Sequence, residues 1–314
     1  MAPATPCLSS LPVGGGPRGV AVTPDGSRVY VANSTGNTVV VIDAATNTVA
    51  ATVPVGGGPR GAAVTPDGSH VYVTASNGTV AAIDTATNTV TAATTVAGIP
   101  RGVAVSPDGS RVYVAHHGGT APVVDTATNT VTTTVALPGV GHPFGLAVSP
   151  DGSRVYIADL VGDTMSVVDT ASNTVTATVV VGSTPEGVAV TPDGSRVYVT
   201  NLYSQSVSVI DTATNTVVAT VRLVKAPGLL NPYGVAVSPD GSRAYVANLS
   251  AARSGVFVID TATNTIIALV DLPQFSVPCC VAVTPDGLRV YVANLGNHTV
   301  SVIETVTNTV TATV

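Results

Sequence analysis

The side chains best suited to chemistry lie in the middle of the sequence. His116 and His117 are adjacent, and His142, Asp159 and Glu186 follow. Imidazole and carboxylate groups together can perform acid–base catalysis or bind a divalent metal. His116, His142, Asp159 and Glu186 are therefore candidate catalytic residues, and His116, His117, His142 and Asp159 could ligate a metal. Because no H-x-H or H-E-x-x-H spacing is present, we predict no cofactor and leave a divalent metal as an alternative.

The composition excludes several classes of protein. The chain has 45% hydrophobic but only 10% charged residues, whereas an average soluble protein has about 25% charged residues. Polar residues interrupt the apolar ones every few positions, so no run approaches the roughly 18 residues of a membrane span. The 31 Gly and 22 Pro disfavour long helices. A net charge of -6 gives no electrostatic reason to bind nucleic acid, and we expect none.

A repeated unit must position the candidate side chains. It reads P-x-G-V-A-V-[TS]-P-D-G-S-R-V-Y-V-A-N, a variable stretch, then V-x-V-[IV]-D-T-A-T-N-T-V. Each copy predicts four short strands, because Pro-Asp-Gly and Asp-x-x-x-Asn favour turns. Four-stranded units with a period of about 40–50 residues are typical of β-propellers. We therefore predict an all-β, seven-bladed β-propeller with four antiparallel strands per blade. The copies begin at Pro17, Pro59, Pro100, Pro143, Pro185, Pro232 and Pro278.

The repeat boundaries also predict the domain organisation. Residues 1–16 are expected to form an N-terminal segment and ring-closure linker, and residues 17–314 a single propeller. Leu8–Leu11 and Thr311–Val314 align with the same part of the outer strand. We expect one of them to pair there and the other to lie alongside it or fray.

The repeat resembles a known family. Tyr198-Val199-Thr200-Asn201 spells the name of the YVTN β-propeller repeats, and Tyr30-Val31-Ala32-Asn33 is a close variant. The resemblance covers residues 17–314 and implies a seven-bladed propeller of a kind often found in secreted or surface-layer proteins. It also implies a relationship to seven-bladed lactonases and antibiotic lyases, which are enzymes. No catalytic motif of theirs is evident here, so no residue role is carried over.

Repetition separates scaffold from candidate site. Residues present in every copy are most simply structural, whereas loops of variable length share one face and are where function usually lies. On that face the residue after each starting Pro forms a ring that is cationic in blades 1–3 and aromatic or acidic in blades 4–6. Together with Tyr203, this ring predicts a pocket for an anionic or amphipathic small molecule or a peptide. Its members are Arg18, Arg60, Arg101, Phe144, Glu186, Tyr233 and Cys279.

Two further features leave alternatives open. Arg could simply be the default residue of the repeat at the ring position, without a ligand. Three Cys are too few for a disulfide framework, but Cys7 could pair with Cys279 or Cys280, and Cys279 could act as a nucleophile at the channel mouth.

Our leading interpretation is a ligand- or protein-binding propeller that uses the variable face. The alternatives are a lactonase- or lyase-type enzyme in the channel mouth and a purely structural surface-layer module. We expect a monomer. Residues 1–10 lack the charged and apolar regions of a signal peptide, which predicts a cytoplasmic protein as written. The low charge and abundant Thr and Asn instead suit a secreted or cell-surface protein whose leader has been removed before Met1.

Overall fold

The computed structural model describes residues 13–138, 141–223 and 230–314. It contains 28 strands in seven four-stranded antiparallel sheets, each a meander in sequence order. The first strand of each sheet packs against the first strand of the next, and β25 packs against β1. The protein is therefore a closed seven-bladed β-propeller with the first strands around the central channel, as the sequence predicts. The described residues contain no helix that could cross a membrane.

The strands follow the repeat. Blade 1 contains β1 (Pro17–Val22), β2 (Arg28–Asn33), β3 (Thr38–Asp43) and β4 (Thr48–Pro54). Blade 2 contains β5 (Pro59–Val64), β6 (His70–Ala75), β7 (Thr79–Asp84) and β8 (Thr89–Thr95). Blade 3 contains β9 (Ile99–Val105), β10 (Arg111–His117), β11 (Thr120–Asp125) and β12 (Thr130–Ala136). Blade 4 contains β13 (Pro143–Val148), β14 (Arg154–Asp159), β15 (Thr164–Asp169) and β16 (Thr174–Val180).

The remaining blades have the same order. Blade 5 contains β17 (Pro185–Val190), β18 (Arg196–Asn201), β19 (Ser206–Asp211) and β20 (Thr216–Arg222). Blade 6 contains β21 (Pro232–Val237), β22 (Arg243–Asn248), β23 (Gly255–Asp260) and β24 (Thr265–Asp271). Blade 7 contains β25 (Pro278–Val283), β26 (Arg289–Asn294), β27 (Thr299–Glu304) and β28 (Thr309–Thr313).

The repeated polar residues build the turns and tie the blades together. In blade 1, the Asp25 carboxylate accepts hydrogen bonds from Thr23 Oγ1 (2.5 Å) and the Ser27 amide (3.0 Å). The bond from Thr23 is the main cause that lowers the pKa of Asp25 to about 2. Tyr30 donates its hydroxyl to Asn88 in the turn of blade 2, at 3.1 Å. Each repeated Tyr that bonds in this way adds a directional contact to the Val-rich core between the blades.

The hydrophobic core is divided among the blade interfaces. One cluster joins blades 7 and 1 and includes Val29, Ile42, Tyr291 and Val302, all fully buried. Similar clusters lie between the other neighbouring blades. The hydrophobic core therefore forms a ring around the channel.

The C-terminal strand completes the ring. β28 pairs with β27, and Val300 and Val314 exchange backbone hydrogen bonds beyond the end of the strand. On the N-terminal side, the Val13 amide donates to the His298 carbonyl at 3.1 Å. Of the two segments predicted to compete for the outer strand, the C-terminal one pairs. Leu8–Leu11 lie outside the described residues.

Candidate functional site

A cavity of about 130 Å³ lies at the mouth of the central channel. The side chain after the starting Pro lines it in each of the first six blades, so six of the seven predicted ring positions converge on one space. Blade 7 contributes Cys280. The lining side chains are Arg18, Arg60, Arg101, Phe144, Glu186, Tyr233 and Cys280, with the intervening glycines.

Glycine makes this ring narrow. A Cβ on Gly19 would lie 2.3 Å from the Arg60 carbonyl oxygen, and one on Gly145 would lie 2.1 Å from the Glu186 carbonyl oxygen. Both distances are far inside van der Waals contact with backbone of the next blade. In blades 1–6 the glycine after each lining residue therefore lets neighbouring first strands approach closely, which brings their side chains together at the axis.

The three arginines are held in one common way. Each uses its Nε to donate to a side chain sixteen positions later: Arg18 to Ser34 at 3.3 Å and Arg60 to Ser76 at 2.6 Å. Arg101 donates likewise to His117 Nε2 at 3.2 Å. Sequence reasoning did not single out Ser34 and Ser76, although their constant offset from the arginines was readable.

No carboxylate neutralises these arginines within the part of the chain that the structure describes. The ion pair found there joins Arg196 and Asp211, away from the cavity. Burial lowers the pKa of Arg60 to about 10, with smaller effects from the charges of Arg101 and Arg18. The guanidinium of Arg60 is therefore still charged at neutral pH. Three guanidinium groups whose residues line one cavity, and that make no ion pair among the described residues, form an environment suited to an oxyanion.

The other half of the cavity combines aromatic rings with a buried acid. The rings of Phe144 and Tyr233 meet edge to face, with centroids 5.4 Å apart, and the Arg101 guanidinium lies 5.4 Å from the Phe144 centroid. Glu186, in the blade between the two aromatic residues, is only 5% exposed. Burial raises its pKa to about 8, against the opposing effect of the Arg101 charge. Glu186 is therefore largely protonated at neutral pH.

The structure places Cys279 away from the cavity. Its side chain is fully buried, and Sγ lies 3.4 Å from the Pro17 carbonyl oxygen and 3.5 Å from that of Ala293. The register of β25 against β26 is the same as in the other blades, but Cys280 stands where their first strands carry glycine. Cys279 packs at the junction of blades 7 and 1, and Cys280 lines the cavity. Both are free thiols, and Cys7, their predicted alternative partner, lies outside the described residues.

Tyr203 and three of the four acid–base candidates also lie elsewhere. Tyr203 is 75% exposed and does not line the cavity. His116 is buried and contacts Thr120 Oγ1 at 2.9 Å through Nδ1. Asp159 accepts hydrogen bonds from the His142 amide (3.0 Å) and from the loop that follows it. Glu186 is therefore the one member of the candidate catalytic set that the structure brings to the cavity.

The four residues predicted as possible metal ligands do not form one cluster either. His142 is exposed, and its ring centroid lies 4.6 Å from that of His117. His116 and Asp159 instead support loops. Within residues 13–138, 141–223 and 230–314, no three His, Cys, Asp or Glu side chains are grouped so that they could hold a metal ion.

Two family models match parts of the chain. A YNCE-like beta-propeller model matches residues 146–254, and a 7-bladed beta-propeller lactonase model matches residues 8–143. No curated protein matches the chain.

Solved structures match over almost the whole length. A chain of Kuenenia stuttgartiensis hydrazine synthase is 27% identical with a TM-score of 0.84, and the match covers 97% of this chain and 99% of that one. The β-propeller domain of Myceliophteria thermophila Cps50 (Swd1) is 13% identical with a TM-score of 0.79, over 92% and 96% of the two chains, and shows the fold alone. The protein is thus a seven-bladed β-propeller that is similar to the YNCE-like and lactonase-type propellers.

Proposed function

We propose that the protein binds a small anionic molecule at the mouth of its central channel. The observation that carries the proposal is the convergence of Arg18, Arg60 and Arg101 on one cavity without an ion pair to any carboxylate among the described residues. A half-buried charge without a counter-charge is less favourable than a paired one, and a bound oxyanion would supply the counter-charge. Ser34, Ser76 and His117 support this function because they orient the guanidinium groups while leaving the Nη atoms free.

Binding of sulfate at constant ionic strength tests the proposal. Isothermal titration calorimetry at pH 6 should detect saturable binding of sulfate to the wild-type protein and none of tetramethylammonium. Arg60→Ala should weaken sulfate binding by about tenfold or more, since charge-assisted hydrogen bonds contribute about 1.5–3 kcal/mol. Arg222→Ala is the matched control, because it removes an exposed Arg at the end of the outer strand β20. Equal affinities of the two variants, or no sulfate binding, would reject the proposal and favour a purely structural module.

Catalysis is a second candidate, and the raised pKa of Glu186 favours it. A carboxylic acid that keeps its proton near pH 7 can act as a general acid. The names lactonase and hydrazine synthase both denote enzymes, which supports a search for turnover. A lactonase should hydrolyse simple γ- and δ-lactones, and Glu186→Gln should abolish the activity while the fold survives. Arg222→Ala should keep it. Turnover that is unchanged in Glu186→Gln would exclude this role.

A further inference from the structure

The buried carboxyl group of Glu186 has an unused polar atom. Its Oε2 is buried and finds no hydrogen-bond partner among the described residues, although the residue is 5% exposed and lines the cavity. Buried polar atoms are nearly always hydrogen-bonded, and exceptions point to a missing ligand or a functional role. Glu186 lines the same cavity as Arg18, Arg60 and Arg101, whose hydrogen bonds among the described residues go through Nε.

The surroundings of Glu186 determine which form of the carboxyl group meets the ligand. The charged or titratable groups that line the cavity come from five other blades: Arg18, Arg60, Arg101, Tyr233 and Cys280. Burial raises the pKa of Tyr233 well above 10, so its phenol is neutral. Burial also outweighs the charge of Arg101 at Glu186. The Glu186 carboxyl group is therefore protonated and can donate a hydrogen bond at neutral pH, whereas an ordinary Glu side chain is a negatively charged acceptor.

We propose that Glu186 binds the ligand as an uncharged carboxylic acid, donating a hydrogen bond to one oxygen of a small oxyanion whose other oxygens face the arginines. This inference rests on the proposed anion-binding function and assigns Glu186 as a specificity-determining residue within it. A cavity of about 130 Å³ is close to the roughly 150 Å³ that accommodates benzene. The cavity therefore holds a group of about six non-hydrogen atoms, such as an inorganic oxyanion or a short carboxylate.

A proton then accompanies the anion. At a pH where Glu186 is ionised in the ligand-free protein, one anion and one proton must bind together. The reason is that a carboxylate has no proton with which to donate a hydrogen bond to another anion. The bound anion in turn favours the protonated form of the carboxyl group. Binding above the pKa of free Glu186 should therefore take up one proton per anion, and the affinity should fall by up to tenfold per pH unit. Below that pKa, binding should be independent of the protonation of Glu186.

Sulfate is the probe, since it accepts hydrogen bonds but cannot donate them and does not titrate near neutral pH. Calorimetric titrations from pH 6 to pH 10, in pairs of buffers with different ionisation enthalpies, give both the affinity and the protons taken up. The wild-type affinity should be constant near pH 6–7 and fall above pH 8, with proton uptake approaching one. Glu186→Gln keeps an N–H donor that does not titrate, so its affinity should stay nearly constant from pH 6 to pH 9 without proton uptake.

A control variant excludes the neighbouring thiol. The pKa of Cys280 is lowered by the hydrogen bond from Cys279, which could also produce pH dependence. Cys280→Ser removes that thiol and should retain the wild-type fall in affinity. A wild-type profile without a fall or proton uptake, or a fall that persists in Glu186→Gln, would overturn the role of Glu186 and leave anion binding intact. Absence of sulfate binding at every pH would instead reject the proposed function together with this inference.

Discussion

Ser76 Oγ accepts a 2.6 Å hydrogen bond from Arg60 Nε, and this contact fixes the direction in which the guanidinium faces the channel. The bond uses Nε, the guanidinium nitrogen nearest the aliphatic part of the Arg60 side chain. Both Nη atoms consequently remain available for a ligand, and the orientation is set before the ligand arrives. Such prior ordering reduces the entropy that binding must overcome.

We predict that Ser76→Ala weakens sulfate binding by about threefold to tenfold, because Arg60 loses the acceptor that orients it and one net hydrogen bond contributes about 0.5–1.5 kcal/mol. Titration calorimetry at pH 6 measures the effect. Ser27→Ala is the matched control, since Ser27 bonds to Asp25 in the turn at the other end of the blade. An effect of Ser76→Ala no larger than that of Ser27→Ala would show that Arg60 needs no support.

Glu186 should make stability decrease as the pH rises. Its pKa is raised from 4.5 to about 8 in the folded protein. Between these values the folded state holds a proton that the unfolded state has lost, so unfolding becomes easier with increasing pH. We expect a loss of roughly 1 kcal/mol per pH unit in the middle of this range. Urea unfolding of wild type and Glu186→Gln at pH 5, 6.5 and 8 should show the variant gaining relative stability. If the free energies of unfolding of the variant and the wild type differed by the same amount at all three pH values, the raised pKa of Glu186 would be contradicted.

His117 should make the protein less stable as the pH falls, which is opposite to the effect of Glu186 and occurs at lower pH. Burial is the main cause that lowers its pKa from 6.5 to about 4, and the charge of Arg101 adds to the effect. Between these values the unfolded chain binds a proton that the folded protein rejects, so stability falls as the pH decreases. His117→Gln keeps an acceptor for Arg101 without titrating. The difference in urea midpoint between variant and wild type should therefore grow from pH 7 to pH 4, and a constant difference would argue against a neutral His117.

Close packing around the channel predicts a sharp difference between two glycines. Gly145→Ala should destabilise the protein by about 1–3 kcal/mol, because the new methyl group meets backbone that cannot move without opening the ring. Gly36→Ala is the control, since its Cβ would come no closer than 3.4 Å to any neighbour. Thermal unfolding of both variants measures the difference. Similar melting temperatures would mean that the first strands are less tightly constrained than the structure indicates.

The sequence predicts the scaffold well because each structural requirement recurs in every blade. The Asp25 turn, the Tyr30 contact and the starting Pro17 each have counterparts at fixed spacing, so the strand pattern and the blade number follow directly. The ring of Arg18, Arg60 and Arg101 is readable for the same reason. These three side chains converge at the channel mouth because each lies at the start of the innermost strand of its blade.

The finer details of the site depend on geometry that the repeat does not encode. Cys279 occupies the ring position in sequence, but its side chain packs into the blade junction, and Cys280, at the position of the repeated glycine, lines the cavity instead. His116 and Asp159 lie near the ends of β10 and β14, and their side chains bond to neighbouring loop segments instead of lining the cavity. The unpaired Oε2 of Glu186 depends on how the side chain is buried in three dimensions, which no single-position pattern describes.

The pairing of β28 with β27 means that each blade is built from one uninterrupted stretch of chain. Among the described residues no sheet takes strands from both ends of the chain, and the seam between blades 7 and 1 is held by side-chain packing and hydrogen bonds such as that from the Gly16 amide to His298 Nδ1 at 3.1 Å. Because each sheet consists of four consecutive strands, circular permutation could move the chain termini to another interblade connection without dividing a sheet.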